Sequence, residues 1–472
     1  MRVKTLDDGE VDVSRDSINS WKARLRGPVL EPGDSAYEDS RTVWNSMINR
    51  RPAIVARCLG APDVIECVRF AREHNLLLSI KGGGHNIAGL AVADGALMLD
   101  MSLMRGVWVD PNRRVAHAQT GCVLGDVDRE TQLHGLAGVL GFVSLTGIAG
   151  LTLGGGIGYL TRRWGWTTDN VVGMDIVTAE ARLVRASSDE NADLFWGLRG
   201  GGGNFGVVTG IDYALHQVGP EMVGGVVAWP ASEAPRVLEL FRTLAEEAPP
   251  ELTLVALMRP APPVPWLPKD RHGAPVIMVL ACHTGELADG EKAVAPIKSF
   301  GKPIGDVLTR RTYVQMQSLL DATQPKGRRY YWKSEYLPGI EPAICEKVIE
   351  HAARIRSPHS AIILFQMDGA LNRLSQDHSA AGNRNARTLL NITSSWERPE
   401  DDDVNIEWAR QAWNDMKTFS TGGTYVNFLT ADEGQERIAA ALGPSLQRLS
   451  LIKARWDRQN VFRTNRNVAP VR

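Results

Sequence analysis

Apolar and polar positions follow two spacings along the first half of the chain, and together they predict alternating strands and helices. An apolar run at 53–56 is followed by Ala61-Pro62-Asp63, which favours a helix start because proline and an acidic residue suit the first helical turn. Apolar positions then recur at helical spacing, and 76–80 is the next predicted strand. Further strands are predicted at 96–100, 107–109, 114–119, 173–178 and 207–215, and short helices at 123–135 and 193–198.

Beyond Gly219-Pro220 the pattern changes, because glycine runs become rare and β-like segments alternate with longer helical stretches. The predicted strands are 224–228, 275–281, 328–336 and 361–366, and the predicted helices are 234–247 and 340–356. A proline-rich run at 260–265 is typical of a surface loop. The change indicates a second structural unit after residue 220.

Two glycine-rich segments carry the main indication of chemistry. The first, 81–86 (KGGGHN), directly follows the predicted strand 76–80, at the strand end where α/β sheets usually bind ligands. The second is 146–158 (TGIAGLTLGGGIG). Glycines at this density let the backbone approach a bulky ligand and direct N–H groups at its phosphates. The histidine that follows the first glycines is therefore placed for chemistry on that ligand.

A third glycine-rich run, 201–206 (GGGNFG), matches the G-x-G-x-x-G pattern of NAD sites, but its context argues against one. A Rossmann fingerprint follows a strand and opens a helix. Here a predicted helix precedes the glycines and a predicted strand follows them. Since the order is inverted and the chain has no G-x-x-x-x-G-K-[ST] sequence, neither an NAD site nor a P-loop is expected.

Composition excludes several classes of protein. The 472 residues include 53 basic and 54 acidic ones, so the charge predicts neither nucleic acid nor an anionic membrane as partner. The first residues lack the apolar core of a secretory signal, and no apolar run approaches the length of a transmembrane helix. Five scattered cysteines without a C-x-x-C spacing favour a reducing cytoplasm over a disulfide framework or a structural metal.

Several long motifs, in this order, resemble those of one flavoprotein family. They are 79–86 (SIKGGGHN), 146–158 followed by Gly165-x-x-x-Asp169-Asn170, 194–209 (LFWGLRGGGGNFGVVT), and 425–428 (YVNF) with the tail to 467. Over 40–220 and 425–470 the chain resembles the FAD-linked oxidases of the vanillyl-alcohol oxidase and berberine-bridge-enzyme-like family. The segment 221–420 is much less diagnostic.

The resemblance implies an α+β fold of two domains. A PCMH-type FAD-binding domain would comprise 1–220, and a C-terminal segment, 421–472, would return to it. The substrate-binding domain, 221–420, would be an antiparallel sheet covered by helices that roofs the flavin ring. Either a monomer or a homo-oligomer is compatible with this arrangement.

The resemblance also implies that FAD is bound covalently through His85. Neutral imidazole is a competent nucleophile toward the 8α-methyl carbon of the flavin. Many relatives carry a second, cysteinyl link, but that position falls on Val143, so a single link is expected. Cys122 lies in a different loop and is interpreted as a small buried hydrophobe. The alternative for His85 is a histidine that only hydrogen-bonds within a turn.

A catalytic base is implied at Tyr425, whose phenol would take a proton from the substrate hydroxyl once neighbouring groups lower its pKa. Asn427 is expected on the same face of a strand. In strand 328–336, Tyr331 and Lys333 share one face and are predicted as catalytic residues of the pocket wall, although alternation alone leaves open which face points inward. The alternatives are a tyrosine that packs against the flavin edge and a strand with one merely buried aromatic face.

The expected site is the following set of residues. Catalytic roles are predicted for Tyr425, Tyr331 and Lys333. Cofactor contacts are predicted for His85, Lys81, Gly82, Gly83, Gly84, Asn86, Thr146, Gly147, Gly150, Gly154, Gly156, Gly158, Asp169, Asn170, Val208, Asn427, Asn465 and Asn467. No metal ligand is predicted. At Asn383-Arg384, relatives often carry a His-Arg pair, and this departure argues against a direct role of the loop.

The implied reaction is two-electron oxidation of an alcohol or amine group of a small organic substrate. Hydride would pass to flavin N5, and O2 would accept the electrons and give H2O2. Three alternatives stay open: a dehydrogenase with another electron acceptor, a reductase that holds FAD non-covalently and uses NADPH, and a flavin-binding protein without turnover. The aromatic run at 330–336 favours a ring-bearing substrate.

Overall fold

The computed structural model describes residues 1–471 as an α+β fold built on four sheets. The strands are β1 (Arg2–Lys4), β2 (Glu10–Asp12), β3 (Val29–Leu30), β4 (Ile54–Arg57), β5 (Leu78–Lys81), β6 (Leu97–Asp100), β7 (Val107–Asp110), β8 (Val115–Gln119), β9 (Leu136–Gly138), β10 (Val171–Val177), β11 (Leu183–Ser187), β12 (Val207–Gln217), β13 (Glu221–Pro230), β14 (Leu252–Pro260), β15 (Pro275–His283), β16 (Gly305–Asp306), β17 (Thr309–Thr312), β18 (Arg329–Leu337), β19 (Ala361–Gln366) and β20 (Thr388–Trp396).

The helices pack around these sheets. They are α1 (Arg15–Lys22), α2 (Tyr37–Arg41), α3 (Ala61–Glu73), α4 (Leu124–Gln132), α5 (Ile148–Leu153), α6 (Thr161–Trp164), α7 (Ala192–Leu198), α8 (Ala234–Glu247), α9 (Leu287–Lys298), α10 (Tyr313–Gln317), α11 (Pro342–Ala352), α12 (Ala370–Arg373), α13 (Asp402–Met416), α14 (Gln435–Leu442) and α15 (Ser445–Trp456).

Two sheets in the first half of the chain position the glycine-rich loops. In the four-stranded sheet, of order β3-β4-β6-β5, both β4 and β5 run parallel to β6. The loop at 82–86 therefore leaves the carboxyl end of β5, as predicted. The six-stranded sheet is antiparallel, of order β11-β10-β12-β8-β7, and β9 pairs with the far end of β12.

An eight-stranded antiparallel sheet occupies the second half, with the order β16-β13-β15-β14-β19-β20-β18 and β17 beside β13. Its two faces are both buried. On β14, Leu254 and Ala256 pack with apolar residues of α8, α11 and α13. The alternate residue, Val255, packs on the opposite face with Ile157 and Tyr425. The expected antiparallel sheet covered by helices is confirmed.

Local patterns predicted many of these elements. Helix α3 begins at Ala61 with Pro62 in its first turn, and α8 and β19 have the predicted bounds. Strands β14 and β20 were not predicted from the sequence. Both are buried on both faces, so they lack the polar alternation that identifies a half-exposed strand.

The segment 425–428 is not a strand, contrary to the expectation. Tyr425 is extended, and Val426–Phe428 forms a single 3₁₀ turn. Asn427 nevertheless reaches Tyr425, because its Nδ2 donates a hydrogen bond of 2.9 Å to the phenol oxygen. The contact therefore arises from a tight turn rather than from strand alternation.

The C-terminal segment packs against the first half of the chain. On α15, the buried Lys453 donates to the carbonyl oxygen of Asn204 at 2.6 Å, and it pairs with Asp457 at 2.7 Å. The division into 1–220, 221–420 and 421–472 stays a prediction. Within residues 1–471, no helix has the length and apolar character needed to cross a membrane.

Candidate functional site

A cavity of about 380 Å³ lies between the glycine-rich loops and the eight-stranded sheet. Its volume falls within the range of small-molecule and cofactor sites. One wall comes from the loops at 82–86, 146–154 and 200–203, and the other from β14, β18, β19 and β20. The turn that contains Tyr425 closes the space between the two walls.

The first two glycine loops touch each other through their backbones. A Cβ atom on Gly83 would lie 2.5 Å from the Cα of Gly147, which no side chain could accommodate. Gly84 has a φ of +66°, a conformation that favours glycine. Of the predicted residues in these loops, those that line the cavity are Gly82, Gly83, Gly84, His85, Asn86, Thr146, Gly147, Gly150 and Gly154.

His85 lies in the cavity wall, and its ring stacks on a neighbouring aromatic side chain. The imidazole stacks on Trp44, with 4.3 Å between ring centroids and 18° between planes. Its Nε2 atom is buried and has no hydrogen-bond partner among residues 1–471. Burial lowers the pKa of His85 to about 4, so the ring is neutral at physiological pH. An oriented, neutral ring nitrogen is therefore available to a bound group.

Asn427 fills the space that Gly154 leaves. A Cβ on Gly154 would lie 2.1 Å from the Asn427 Oδ1. Asn427 Nδ2 also donates to the carbonyl oxygen of Leu151 at 3.1 Å. The absence of a side chain at position 154 thus lets the turn at 425–428 dock on the second loop.

Tyr425 is buried and lines the cavity. Its phenol oxygen accepts hydrogen bonds from Asn427 Nδ2 at 2.9 Å and from the backbone N–H of Gly156 at 3.1 Å. Burial raises the pKa of Tyr425, and these two donors only partly offset that effect. The pKa of Tyr425 is therefore raised overall in the resting protein, contrary to the lowering that a base needs, and the phenol is protonated.

The third glycine run and the tail complete the wall. Val208 and Asn465, both predicted, line the cavity. Asn465 Nδ2 donates to the carbonyl oxygen of Gly203 at 3.0 Å, while its buried Oδ1 has no partner within residues 1–471. Glycine backbone, orphaned polar atoms and a neutral histidine together fit a large cofactor that carries phosphates.

Three predicted cofactor residues stabilise the loops instead of lining the cavity. Lys81 donates to the carbonyl oxygen of Ser40 and lies 3.6 Å from Asp100. Asp169 forms a two-fold ion pair with Arg384, at 2.7 and 3.0 Å. Asn170 donates to the carbonyl oxygens of the residues at 164 and 166. Their polar atoms are occupied by protein partners, and a contact of these three residues with a cofactor stays a prediction.

Gly156, Gly158 and Asn467 also lie outside the cavity lining. Gly156 acts through its N–H on Tyr425, and a Cβ on Gly158 would collide with the carbonyl oxygen of Leu140. These two glycines are therefore required for packing behind the cavity rather than for direct contact with a ligand.

Tyr331 and Lys333, which are predicted as catalytic residues, lie outside the cavity lining. Tyr331 packs on the helix-covered face of the sheet, and its hydroxyl donates to Asp432 at 2.7 Å. Lys333 is 4% exposed and pairs with Glu433 at 3.3 Å. The neighbouring Trp332, on the opposite face of β18, lines the cavity. Alternation separated the two faces correctly, but the inward face is that of Trp332.

Sequence analysis missed several polar residues of the cavity, among them Arg259 on β14 and Asn391 on β20. Arg259 follows an apolar run at 254–258, and Asn391 interrupts a short apolar run at 389–392. A polar residue at such a place in a doubly buried strand is the signal that could have identified them. Among residues 1–471 the cavity lining includes two arginines, Arg259 and Arg466, and no carboxylate. No cluster of potential metal ligands occurs in the same described part of the chain.

Two family models match the chain. Residues 52–187 match a model described as an FAD binding domain, and 424–469 match one described as berberine and berberine like. These segments contain the first two glycine loops and the turn around Tyr425.

Full-length relatives extend the match over the rest of the chain. An FAD-linked oxidoreductase of Dictyostelium discoideum is 27% identical over 96% of this chain and 97% of its own length. The (R)-6-hydroxynicotine oxidase of Paenarthrobacter nicotinovorans is 29% identical over 94% of this chain and 97% of its own length. The crystal structure of 6-hydroxy-D-nicotine oxidase from Arthrobacter nicotinovorans has a TM-score of 0.85, at 27% identity, and covers 95% of this chain and 98% of its own.

Proposed function

Because the chain belongs to the FAD-linked oxidoreductases of the berberine-bridge-enzyme-like family, we propose that it is an oxidase with covalently bound FAD. It would oxidise an alcohol or amine group of a small organic substrate, with O2 as the electron acceptor and H2O2 as the product. FAD, when bound, supplies the two-electron acceptor for hydride. The protein residues hold the cofactor, orient the substrate and move the proton.

The observation that carries this proposal is the state of His85. His85 lines the cavity, its buried Nε2 has no partner in the described chain, and its lowered pKa keeps the ring neutral. Attachment would join a ring nitrogen of His85 to the flavin 8α-methyl carbon. One hydrogen is lost from the imidazole and one from the methyl group, and their two electrons reduce O2 to H2O2.

A single attachment is proposed because the cavity offers no thiol at the second position. Val143 lines the cavity and cannot form a thioether. Cys122 is buried outside the cavity lining, and burial raises the pKa of its thiol to about 12. All five cysteines are free, which supports the reducing cytoplasm as the proposed location.

Tyr425 is the proposed group that exchanges a proton with the substrate. Asn427 and Gly156 both donate to its oxygen, so the phenol proton is free to point into the cavity, and a phenolate would be held by the same two donors. Because burial raises its pKa, the base form is scarce at neutral pH and becomes more abundant as the pH rises.

Acid precipitation of the purified protein tests the covalent bond. We expect yellow colour in the pellet of the wild-type protein and no covalent colour with His85→Ala. Turnover in air should then yield peroxide in proportion to oxidised substrate. Flavin released quantitatively into the acid supernatant would refute the covalent bond. Turnover without peroxide would favour the dehydrogenase, and an inability of any reductant to cycle the flavin in air would favour the binding protein.

A further inference from the structure

The wall of the cavity formed by the eight-stranded sheet changes from apolar to cationic along β14. Side chains at alternate positions point into the cavity, namely Val255, Leu257 and Arg259. Val255 lies opposite Phe365 and Leu257 opposite Ile363 on β19. The two apolar pairs therefore come first, and the guanidinium of Arg259 follows at the end of the strand.

Arg259 carries a charge that the protein does not neutralise. Its Nε and Nη2 donate only to carbonyl oxygens, those of Pro260 at 3.1 Å and Pro358 at 3.3 Å. It takes part in no salt bridge within residues 1–471. Burial, together with the nearby Arg328, lowers the pKa of Arg259 to about 10, so the side chain stays cationic at pH 7.

The other ionisable groups around Arg259 do not supply a counter-charge. His359 lines the same part of the cavity, and burial and the neighbouring Arg328 lower its pKa. Glu397 pairs with His359 at 3.2 Å, but its side chain is 69% exposed to solvent. Since no carboxylate of the described chain lines the cavity, an unpaired cation remains in a largely apolar wall.

Asn391 gives a second, independent indication of a polar ligand. It is 2% exposed, it lines the cavity, and its Oδ1 has no hydrogen-bond partner in the described chain. It lies opposite Ile363, which itself lies opposite Leu257, so Asn391 is two strands away from β14 and two residues short of the level of Arg259. The spacing of strands and residues puts the two Cα atoms about 12 Å apart. A ligand between them would meet polar groups at both ends and apolar side chains between.

The phosphates of FAD do not account for Arg259. The residues that fit them are the glycine loops and Asn465, which lie on the other wall with Arg466. A free cation on the substrate wall disfavours a protonated amine and attracts an anion. Planar guanidinium groups bind carboxylates through paired hydrogen bonds.

We propose that Arg259 binds a carboxylate of the substrate, so that the enzyme acts on ring-bearing alcohols that carry an acidic group. This inference rests on the proposed function of the same cavity. Leu257, Ile363 and Trp332 contact the ring, and Arg259 sets the preference for an anion. Arg259 is thus a specificity-determining residue and takes no part in the proton transfer.

The test measures binding to the flavin-loaded protein, without turnover. Benzoate, phenylacetate, 3-phenylpropanoate and 2-naphthoate are each titrated against the corresponding primary amide. Perturbation of the flavin absorbance and calorimetry report the affinity. We expect at least one carboxylate to bind at least about tenfold more tightly than its amide. Arg259→Gln should reduce that ratio to below about threefold, while flavin content stays unchanged.

Arg328→Gln is the matched control, because Arg328 is a nearby cation that does not line the cavity. It should retain the preference for the carboxylate. The proposal would be overturned if every acid bound with the same affinity as its amide, or if no carboxylate bound at all. A preference for the carboxylate that survives Arg259→Gln would also overturn it. Loss of flavin from Arg259→Gln would also overturn it, since Arg259 would then hold the cofactor. Failure of the proposed function is visible separately, as a protein without flavin before any titration.

Discussion

The ion pair between Arg384 and Asp169 joins two distant parts of the chain and should contribute strongly to the stability of the fold. Both side chains are 2% exposed, and the guanidinium donates to both carboxylate oxygens, at 2.7 and 3.0 Å. Asp169 also accepts the backbone N–H of Trp166 at 2.9 Å. Removal of Arg384 leaves a buried carboxylate without its counter-ion.

The variant Arg384→Met should therefore lose about 3–5 kcal/mol of unfolding free energy. A chain of 472 residues has an unfolding entropy of about 1 kcal/mol/K near its midpoint. The expected fall in Tm is thus about 3–5 °C by differential scanning calorimetry. Arg387→Met, in the same loop at an exposed position, is the matched control and should change Tm by less than about 1 °C.

Replacement of both partners should be far less costly than loss of one. In Arg384→Met combined with Asp169→Leu, no buried charge remains, so most of the lost stability should return. A Tm of Arg384→Met within about 1 °C of the wild type would refute the reasoning, because the pair would then contribute no more than an exposed one. A double variant as unstable as the sum of the two single variants would equally contradict it.

Three further predictions concern the cavity. Tyr425→Phe should lower kcat by about 100-fold or more. The kcat/KM of the wild type should rise about tenfold per pH unit from pH 7 to 10, and the variant should lose this rise. A flat pH profile of the wild type would exclude Tyr425 as the base. Gly150→Ala should leave the cofactor-free protein folded, because its Cβ meets no protein atom within 4 Å, but it should reduce FAD content. Gly154→Ala should reduce both the stability of the cofactor-free protein and its FAD content. Full FAD content in Gly150→Ala would contradict this prediction. Lys333→Met should lower Tm but leave kcat/KM within about threefold of the wild-type value, because Lys333 pairs with Glu433 outside the cavity. A large loss of kcat at unchanged Tm would instead support a catalytic role for Lys333.

The glycine loops could be predicted from the sequence because their requirement is local. Gly83 and Gly147 must lack side chains where their backbones touch, and such positions are visible as glycine runs. The histidine lies next to the first run, so its position in the cavity follows from the loop itself. This part of the site could therefore be predicted without knowing how distant segments pack against it.

The substrate wall could not be predicted in the same way. Which face of β18 points inward depends on α13 and its neighbours, which cover the face of Tyr331 and leave that of Trp332 to the cavity. Strand β14, which carries Arg259, has no polar alternation to reveal it. The pair of Arg384 with Asp169 joins residues 215 positions apart, so no local pattern announces it.

Peptide mass spectrometry after trypsin digestion tests the covalent flavin most directly. Cleavage after Lys81 and Arg105 releases residues 82–105, in which His85 is the sole histidine and no cysteine occurs. The account predicts this peptide with the added mass of FAD less two hydrogens, and fragmentation that places the addition on His85. An unmodified peptide 82–105 from protein that was yellow before digestion would contradict the central claim.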